Sequence, residues 1–320
     1  MGGVDRRSFL LSGVALALGA TGASGGTRRA PLALVTADTE GYVAVVDLAR
    51  RRVLQRVATL GGPRSIEARA RGPAIVGHAS EGAVTLLDSR PVRVRRVLRG
   101  FGEPRYAAMA PDGRHAFVTD SGHGELAVID LVRGRVIHRV TVGALARHVT
   151  LDPAGRTVWA ALGSSAPAVA VVDVSDPSRP RLRRRVRAPF LAHDVAFSPS
   201  GARVWVTAGR ERRLAIFAAD GTRPQVLLDA DEAPQHVAFG PTAAYVASGE
   251  GPSVRVHALD DGRLLRAQRV PFGSYNVTRR AGRVLTLSLG VGTLSVLDAR
   301  GRLRWVLRVA PAAHDACVVL

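Results

Sequence analysis

Several features are scarce in this sequence. Among 320 residues there is one cysteine, Cys317, and no lysine, so all 45 basic residues are arginine. A single cysteine excludes a disulfide framework, a C-x-x-C-H haem attachment site and a cluster held by several cysteine thiolates. Aromatic residues make up only 5% of the chain, which is few for a protein that stacks nucleic-acid bases on its surface.

Long apolar runs are also scarce. One apolar run stands out within residues 1–26, MGGVDRRSFLLSGVALALGATGASGG. It is about twelve residues long, which is shorter than the ~20 residues that span a membrane. It follows Arg6-Arg7 and precedes small residues, which predicts a twin-arginine export signal. A chance arginine pair before a general secretory signal and an uncleaved anchor stay open as alternatives. We expect a leader at 1–26 and an exported domain at 27–320, periplasmic or extracellular, without a transmembrane span.

A repeat dominates the rest of the chain. Short alternating apolar and polar runs lie between Gly, Pro and Asp turns, which is typical of antiparallel strands. The position that follows the apolar residues of the third strand in each unit recurs at spacings of 40 to 45 residues. It is occupied by Asp47, Asp88, Asp130, Asp173, Ala218, Ala258 and Asp298. Seven units of four strands predict a seven-bladed β-propeller.

The two ends of the repeat region are out of phase with each other. It begins with what would be a second strand, LALVTA (32–37), and it stops on what would be a first strand, HDACVVL (314–320). The C-terminal strand is therefore expected to join the N-terminal three and close the ring, which removes the free sheet edges. The predicted fold class is all-β, with four antiparallel strands in each blade.

The third unit resembles a known repeat. FVTDSGHGELAVIDLVRGRVIHRVTVG (117–143), followed by RHVTLDPAG (147–155), is similar to the YVTN-type repeat of exported propellers described as YncE-like, surface-layer-like or lactonase-like. The resemblance covers residues 32–320 and departs from the motif at its Asn, which is Asp120 here. It implies an exported propeller. No motif specific to the lactonases is legible, so no catalytic residue is carried over.

Polar residues recur where the innermost strands begin. These starts share one face of the ring, at the mouth of the central channel, where propeller ligands usually sit. The candidate ligand-binding residues are Arg105, Tyr106, Arg147, His148, His193, Asp194, His236, Asn276, His314 and Asp315. Matching positions hold Arg64, Ser65, Gln235 and Tyr275, and nearby loops add Asp38, His78, Asp120 and His123.

Three interpretations of this ring stay open, because side-chain direction is not legible from spacing. The residues can be structural and hydrogen-bond neighbouring blades. They can bind an organic ligand or a loop of a partner protein. They can also hold a metal through His148, His236, Asp194 and Asp315, since imidazole and carboxylate groups suit divalent ions.

Charge forms a separate pattern. The formal net charge is +19, and more than half of the arginines fall on the outermost strand of each unit. Charged outer strands block edge-to-edge pairing, or they form a rim that binds anionic wall or membrane polymers. The few aromatics argue against nucleic acid. A separate column of aspartates is expected to cap turns on the opposite face, and it contains Asp47, Asp88, Asp130, Asp173 and Asp298.

The sequence thus predicts an exported binding or scaffold protein with a small ligand or protein partner at the channel face. A metal-assisted, lactonase-like hydrolase and attachment to anionic polymers through the rim are the alternatives. We expect a monomer that carries no cofactor.

Overall fold

The computed structural model describes residues 30–163, 165–230 and 232–320, and within them the chain is all-β. Its strands form seven four-stranded antiparallel sheets, so the predicted seven-bladed propeller is confirmed. The predicted export signal, residues 1–26, lies outside the described residues.

Blade 1 contains β1 (Leu32–Ala37), β2 (Tyr42–Asp47), β3 (Arg52–Ala58) and the last strand of the chain, β28 (Ala313–Val319). Blade 2 contains β4 (Pro63–Ala68), β5 (Ala74–His78), a 3-10 turn (Ala79–Glu81), β6 (Ala83–Ser89) and β7 (Val92–Arg99). Blade 3 contains β8 (Pro104–Met109), β9 (His115–Asp120), β10 (Glu125–Asp130) and β11 (Arg135–Thr141).

Blade 4 contains β12 (Val149–Leu151), β13 (Thr157–Ala161), β14 (Ala168–Asp173) and β15 (Arg181–Arg187). Blade 5 contains β16 (Val195–Phe197), β17 (Arg203–Thr207), β18 (Arg213–Ala218) and β19 (Pro224–Asp229). Blade 6 contains β20 (Val237–Phe239), β21 (Ala243–Ala247), β22 (Ser253–Ala258) and β23 (Leu264–Arg269). Blade 7 contains β24 (Ser274–Arg280), β25 (Arg283–Ser288), β26 (Thr293–Asp298) and β27 (Leu303–Arg308).

The ring closes within blade 1. Strand β28 pairs antiparallel with β1, from Leu32 opposite Val319 to Ala37 opposite Ala313, so the predicted closure is confirmed. Cys317 lies opposite Leu34 in this ladder and is buried in the core beside it, as expected for a small apolar residue.

The core lies between blades. Middle strands such as β10 are buried on both faces, because each blade packs against a neighbour on either side. Between blades 4 and 5, Trp159 meets Phe197 and Phe217 edge to face, with ring centroids 6.1 and 6.3 Å apart. Such aromatic pairs contribute roughly 0.5–1.5 kcal/mol beyond the area they bury.

The aspartate column caps turns, as the sequence predicts. Asp130 Oδ1 accepts hydrogen bonds from the backbone N–H groups of Val132 and Arg133 at 3.0 and 2.9 Å. The chain then reverses at Gly134, whose φ of 61° lies in the left-handed region that favours glycine. Equivalent caps are made by Asp47, Asp173 and Asp298. Asp88 differs, since among the described residues its carboxylate accepts from the Arg93 side chain and from no backbone N–H group.

The innermost strands line the channel. Going round the ring, β28, β4, β8, β12, β16, β20 and β24 each contact the next. The side chains at their starts therefore converge on one mouth. No helix among the described residues is long and apolar enough to cross a membrane.

Candidate functional site

The seven predicted residue pairs lie together at one mouth of the channel, which we call the channel face. In blades 1, 2, 3 and 7 the pair lies inside the innermost strand, as with Arg105 and Tyr106 in β8. In blades 4, 5 and 6 it lies just before that strand, as with Arg147 and His148 before β12. Strands β4, β8, β24 and β28 show register irregularities at this end, which re-aim side chains near the mouth.

Buried threonines join neighbouring blades at this face. Thr207 Oγ1 accepts a hydrogen bond from Asp194 N at 3.1 Å in its own blade and donates one to Gln235 O in blade 6 at 2.6 Å. Thr36 accepts from Asp315 N at 2.9 Å and donates to Arg64 O in blade 2. The Val-Thr dipeptide of the repeat is thus an interblade clamp. Sequence reasoning missed this role, although the recurrence of the dipeptide was visible.

Thr119 makes the third clamp. Its hydroxyl accepts a hydrogen bond from Tyr106 N at 3.2 Å and donates one to the carbonyl oxygen of Arg147. The clamps therefore fix the backbone of the residues at the channel face in blades 1 to 6. They hold the ring in place without using the side chains that face the channel.

Two carboxyl groups of the candidate set also bridge blades. Asp194 accepts from Val195 N at 2.8 Å and from Val237 N of blade 6 at 2.9 Å. Burial raises the pKa of Asp194 to about 7, against these hydrogen bonds. For Asp315, burial likewise raises the pKa to about 8. Both oxygens of each group are directed to backbone N–H groups, so these residues hold the ring together.

Three imidazoles from consecutive blades meet inside the mouth. One nitrogen from each of His148, His193 and His236 lies within 4.8 Å of the other two, and we call this group the histidine cluster. His148 Nε2 and His236 Nε2 are 3.2 Å apart. The ring of Tyr106 stacks on His148 with centroids 3.8 Å apart. The predicted residues of blades 3 to 6 are therefore brought into contact.

The histidine cluster is electrically neutral. Burial lowers the pKa of His148 and of His236 well below the ordinary value, and the neighbouring imidazoles lower both further. Burial and then Arg147 lower the pKa of His193 to about 3. Burial, followed by the aspartate Asp315, raises the pKa of Tyr106 to about 12. Near pH 7 the mouth therefore holds neutral imidazoles with available lone pairs and a neutral phenol.

Arginines of blades 2, 3 and 4 surround the same mouth. Arg64 pairs with Asp38 and Arg105 pairs with Glu103, both at 2.7 Å. Arg147 has no ion pair or side-chain hydrogen bond to any residue within the described ranges. Burial lowers the pKa of Arg147. Tyr106 opposes this shift, and repulsion from Arg105 and Arg64 adds to it. The buried Nε atoms of all three arginines have no hydrogen-bond partner in the part of the chain that the structure describes.

A cavity of about 240 Å³ opens beside the unpaired guanidinium. Arg147, His193 and Gln235 line its inner part, and the exposed Glu211 and Glu250 line its rim. A second open cavity of about 550 Å³ lies against Arg64 and Arg105. Together they give a small ligand access to the arginines.

The remaining candidates have structural partners. His314 Nδ1 donates to Arg64 O at 2.7 Å, and burial lowers the pKa of His314 to about 3. Asn276 Oδ1 accepts from Val277 N at 3.0 Å. In the loops, Asp120 accepts hydrogen bonds from Gly102 N and Glu103 N. His78 Nδ1 donates to Gly61 O at 3.0 Å.

The opposite mouth of the channel has a cavity of about 530 Å³, which sequence reasoning did not single out. Its polar side chains are Glu67, Arg69, Arg71, Thr150 and Arg280. Burial raises the pKa of Glu67 to about 7, against the attraction of Arg280. Arg69 and Arg280 donate to the backbone oxygens of Ala110 and Ala68. Arg69 and Arg280 are therefore occupied, and the remaining arginine of this cavity, Arg71, is exposed to solvent, so the channel face remains the better candidate.

Comparisons with solved structures agree with the propeller fold. Kuenenia stuttgartiensis hydrazine synthase is similar with a TM-score of 0.70 and 17% identity, over 82% of this chain and 90% of that one. Dihydro-heme d1 dehydrogenase NirN, solved in complex with DHE, has a TM-score of 0.65 and 16% identity, over 88% of this chain and 64% of that one.

A protein of unknown function from Desulfotomaculum acetoxidans DSM 771 has a TM-score of 0.78 and 12% identity, over 90% of this chain and 98% of that one. At these identities the likeness establishes the fold alone. No protein-family model and no curated protein matches the chain.

Proposed function

We propose that this protein is an exported binding module that recognises a small organic anion at the channel face. The observation that carries the proposal is the guanidinium of Arg147, which is partly buried beside a cavity and has no counter-ion among the described residues. A buried charge without a partner is costly, and that cost falls when an anionic ligand arrives.

The chemistry of the surrounding groups favours a carboxylate or a phosphate. A guanidinium presents a rigid fork of donors that matches both groups in a bidentate way. Arg64 and Arg105 lie nearby as ion pairs with Asp38 and Glu103, while the Gln235 amide lines the same cavity as Arg147 and provides neutral hydrogen bonds. The mouth is thus suited to an oxyanion held by more than one donor.

Acidic residues at the rim restrict the ligand further. Glu211 and Glu250 line the outer part of the Arg147 cavity, where they repel a polyanion. A suitable ligand places an acidic group at Arg147 and an amine or another hydrogen-bond donor at the rim. It then complements both the positive charge of Arg147 and the negative charge of the two glutamates. The channel face therefore favours a small molecule over an anionic polymer.

Export and family belong to the same proposal. The Arg6-Arg7 leader and the YVTN-type repeats support a place among exported propellers, outside the cytoplasm. NirN, one of the structurally similar proteins, was solved with DHE bound, which is consistent with ligand binding in a chain that contains this fold.

The proposal is tested by calorimetric titration with small carboxylates and, separately, small phosphates. Arg147→Gln should weaken binding of the best ligand by about 10- to 100-fold, because a hydrogen bond to a charged group contributes roughly 1.5–3 kcal/mol. Arg187→Gln, at an exposed position on β15, is the matched control and should leave affinity unchanged. If no ligand binds, or if both variants bind alike, the proposal is wrong.

A further inference from the structure

We propose that His148, His193 and His236 form a binding site for one divalent transition-metal ion, such as Zn²⁺ or Co²⁺. The observation is the convergence of three imidazole nitrogens from blades 4, 5 and 6 within 4.8 Å of one another. The metal would be held by none of the three arginines, although His193 also lines the Arg147 cavity, so the two sites are neighbours with different ligand groups.

The spacing of the nitrogens fits a metal. Zinc–imidazole bonds of 2.0–2.1 Å at a tetrahedral angle place two ligand nitrogens about 3.3–3.4 Å apart. His148 Nε2 and His236 Nε2 are 3.2 Å apart, so this pair has nearly the required separation. The nitrogen of His193 lies within 4.8 Å of both, so binding of all three to one ion requires His193 to move closer to the pair.

Hydrogen bonds orient the ligands. His148 Nδ1 lies 2.5 Å from the backbone oxygen of His193. Because a carbonyl only accepts, Nδ1 carries the proton and the Nε2 lone pair points toward His236. Metal-bound histidines typically donate their other N–H to a backbone carbonyl or carboxylate in this way. For His236, Nδ1 faces the Asp194 carboxyl group at 3.9 Å.

The packing keeps the cluster in place. Tyr106 stacks on His148 at 3.8 Å, and the rings of His148 and His236 meet edge to face with centroids 4.3 Å apart. The threonine clamp at Thr207 fixes the backbone of blades 5 and 6, from which His193 and His236 extend. A preformed ligand set is what a metal site needs, since binding then does not have to order the chain.

The donor set selects the class of metal. Three imidazoles suit zinc, copper, cobalt and nickel, whereas Mg²⁺ and Ca²⁺ prefer oxygen ligands. Asp194 and Asp315, the oxygen ligands that sequence reasoning had suggested, are held by backbone N–H groups. With three protein ligands, a four-coordinate ion keeps one open position, which is typical of zinc sites that bind water or substrate.

The test uses the full chain after dialysis against a chelator. Titration with Co²⁺ alone should give saturable binding of one ion per chain, with the visible absorption of a tetrahedral Co²⁺ complex. Zn²⁺ should displace it and excess Mg²⁺ or Ca²⁺ should not. Absence of saturable binding, or displacement by Mg²⁺ or Ca²⁺, overturns the proposal.

Variants then locate the site. His148→Ala and His236→Ala should each weaken Co²⁺ binding by more than the roughly 10- to 100-fold cost of losing an outer-sphere partner. His138→Ala, on the outermost strand β11, is the matched control and should bind as wild type. Arg147→Gln should also keep the metal, which separates this site from the anion site. Equal binding by wild type and a His148→Ala/His236→Ala double variant contradicts the proposal.

A measurement on the wild type covers the case in which a variant fails to fold. X-ray absorption at the zinc edge of the Zn²⁺-loaded protein should show three imidazole ligands. A shell of oxygen ligands, or fewer than three imidazoles, rules the site out and leaves the cluster as a hydrogen-bonded histidine pair with a neighbour.

Discussion

The carboxyl group of Asp315 accepts a hydrogen bond from the backbone N–H of Ile66 at 2.9 Å. It thereby joins the last strand of the chain to the first strand of blade 2. Asp194 makes the same link from blade 5 to Val237 of blade 6. The closing strand is therefore held on one side by its ladder with β1 and on the other by a side chain.

Removal of the closing strand should abolish cooperative folding. Deletion of residues 314–320 takes away most of β28, all of whose residues are buried, and exposes strand edges and apolar blade faces. Thermal unfolding followed by circular dichroism should lose its sharp transition. Leu320→Ser, at a position 41% exposed, is the control. An unchanged transition in the truncated chain would contradict closure by β28.

The contribution of Asp315 to stability should fall as the pH rises from about 6.5 to 8. Burial raises the pKa of Asp315 to about 8, so the folded state keeps a proton there that the unfolded chain has already lost. This contribution therefore declines as the pH rises toward the folded pKa, by roughly 1–2 kcal/mol over this window, at up to 1.36 kcal/mol per pH unit.

Urea unfolding at both pH values compares the wild type with Asp315→Asn, whose amide does not titrate, so the effect of Asp315 is the difference between the two pH dependences. Other buried groups titrate in both proteins alike. Asp194 and Glu67, with pKa values of about 7, add to the decline, whereas the buried histidines oppose it until the unfolded chain has lost its histidine protons above pH 6.5. A stability difference between the two proteins that stays constant from pH 6.5 to 8 would falsify the assignment.

The interblade clamp predicts that the Thr207 hydroxyl contributes to the free energy of unfolding. Thr207→Val leaves Asp194 N and Gln235 O without the hydroxyl, and an unsatisfied buried group costs about 1–3 kcal/mol. The free energy of unfolding should fall by at least that amount. Thr85→Val is the matched control, since Thr85 is equally buried and no described residue hydrogen-bonds its hydroxyl. Comparable losses in the two variants would count against the clamp.

The rim arginines should contribute only salt-dependent adsorption. Arg181, Arg187, Arg266 and Arg269 are exposed on outermost strands, and changing all four to Gln should reduce retention on anionic lipid vesicles at low salt. Binding of the small anion should stay the same. Retention that is insensitive to salt and lost with the four arginines would instead support specific attachment through the rim.

Export should depend on the arginine pair of the leader. Arg6→Lys together with Arg7→Lys should leave precursor in the cytoplasm, because the export machinery recognises the two arginines themselves and not merely their charge. Cell fractionation and immunoblotting measure this, with Arg28→Lys and Arg29→Lys as the control pair. Normal export of the chain that carries both leader substitutions would contradict the prediction that it uses the twin-arginine pathway.

Much of the fold could be predicted from the sequence, because it depends on the period of the repeat and on the phase of the repeat at the two ends of the chain. The seven units, the four strands in each and the offset between Leu32 and Val319 follow from spacing alone. The site was only partly legible. Spacing placed His148 and His236 at one mouth, but it could not show that Asp194 points to a backbone N–H while His193 joins the imidazoles.

Side-chain direction at the mouth depends on register irregularities and on short strands. Strands β12, β16 and β20 have three residues each, so their preceding residues lie outside regular strand geometry. Alternation rules do not apply there. Arg64 and Arg105 pair with Asp38 and Glu103, and Arg147 has no such partner among the described residues. These pairings involve loops whose shape no local pattern encodes.

The pairing of Leu32 with Val319 has a practical consequence for handling the molecule. Strand β28 starts at the channel face with His314 and runs to the far side of the disc, where β1 begins. A tag or tether attached before Leu32 or after Val319 therefore emerges on the side remote from the histidines and arginines. Chains immobilised on a sensor surface through either end would present their channel face to the flowing solution.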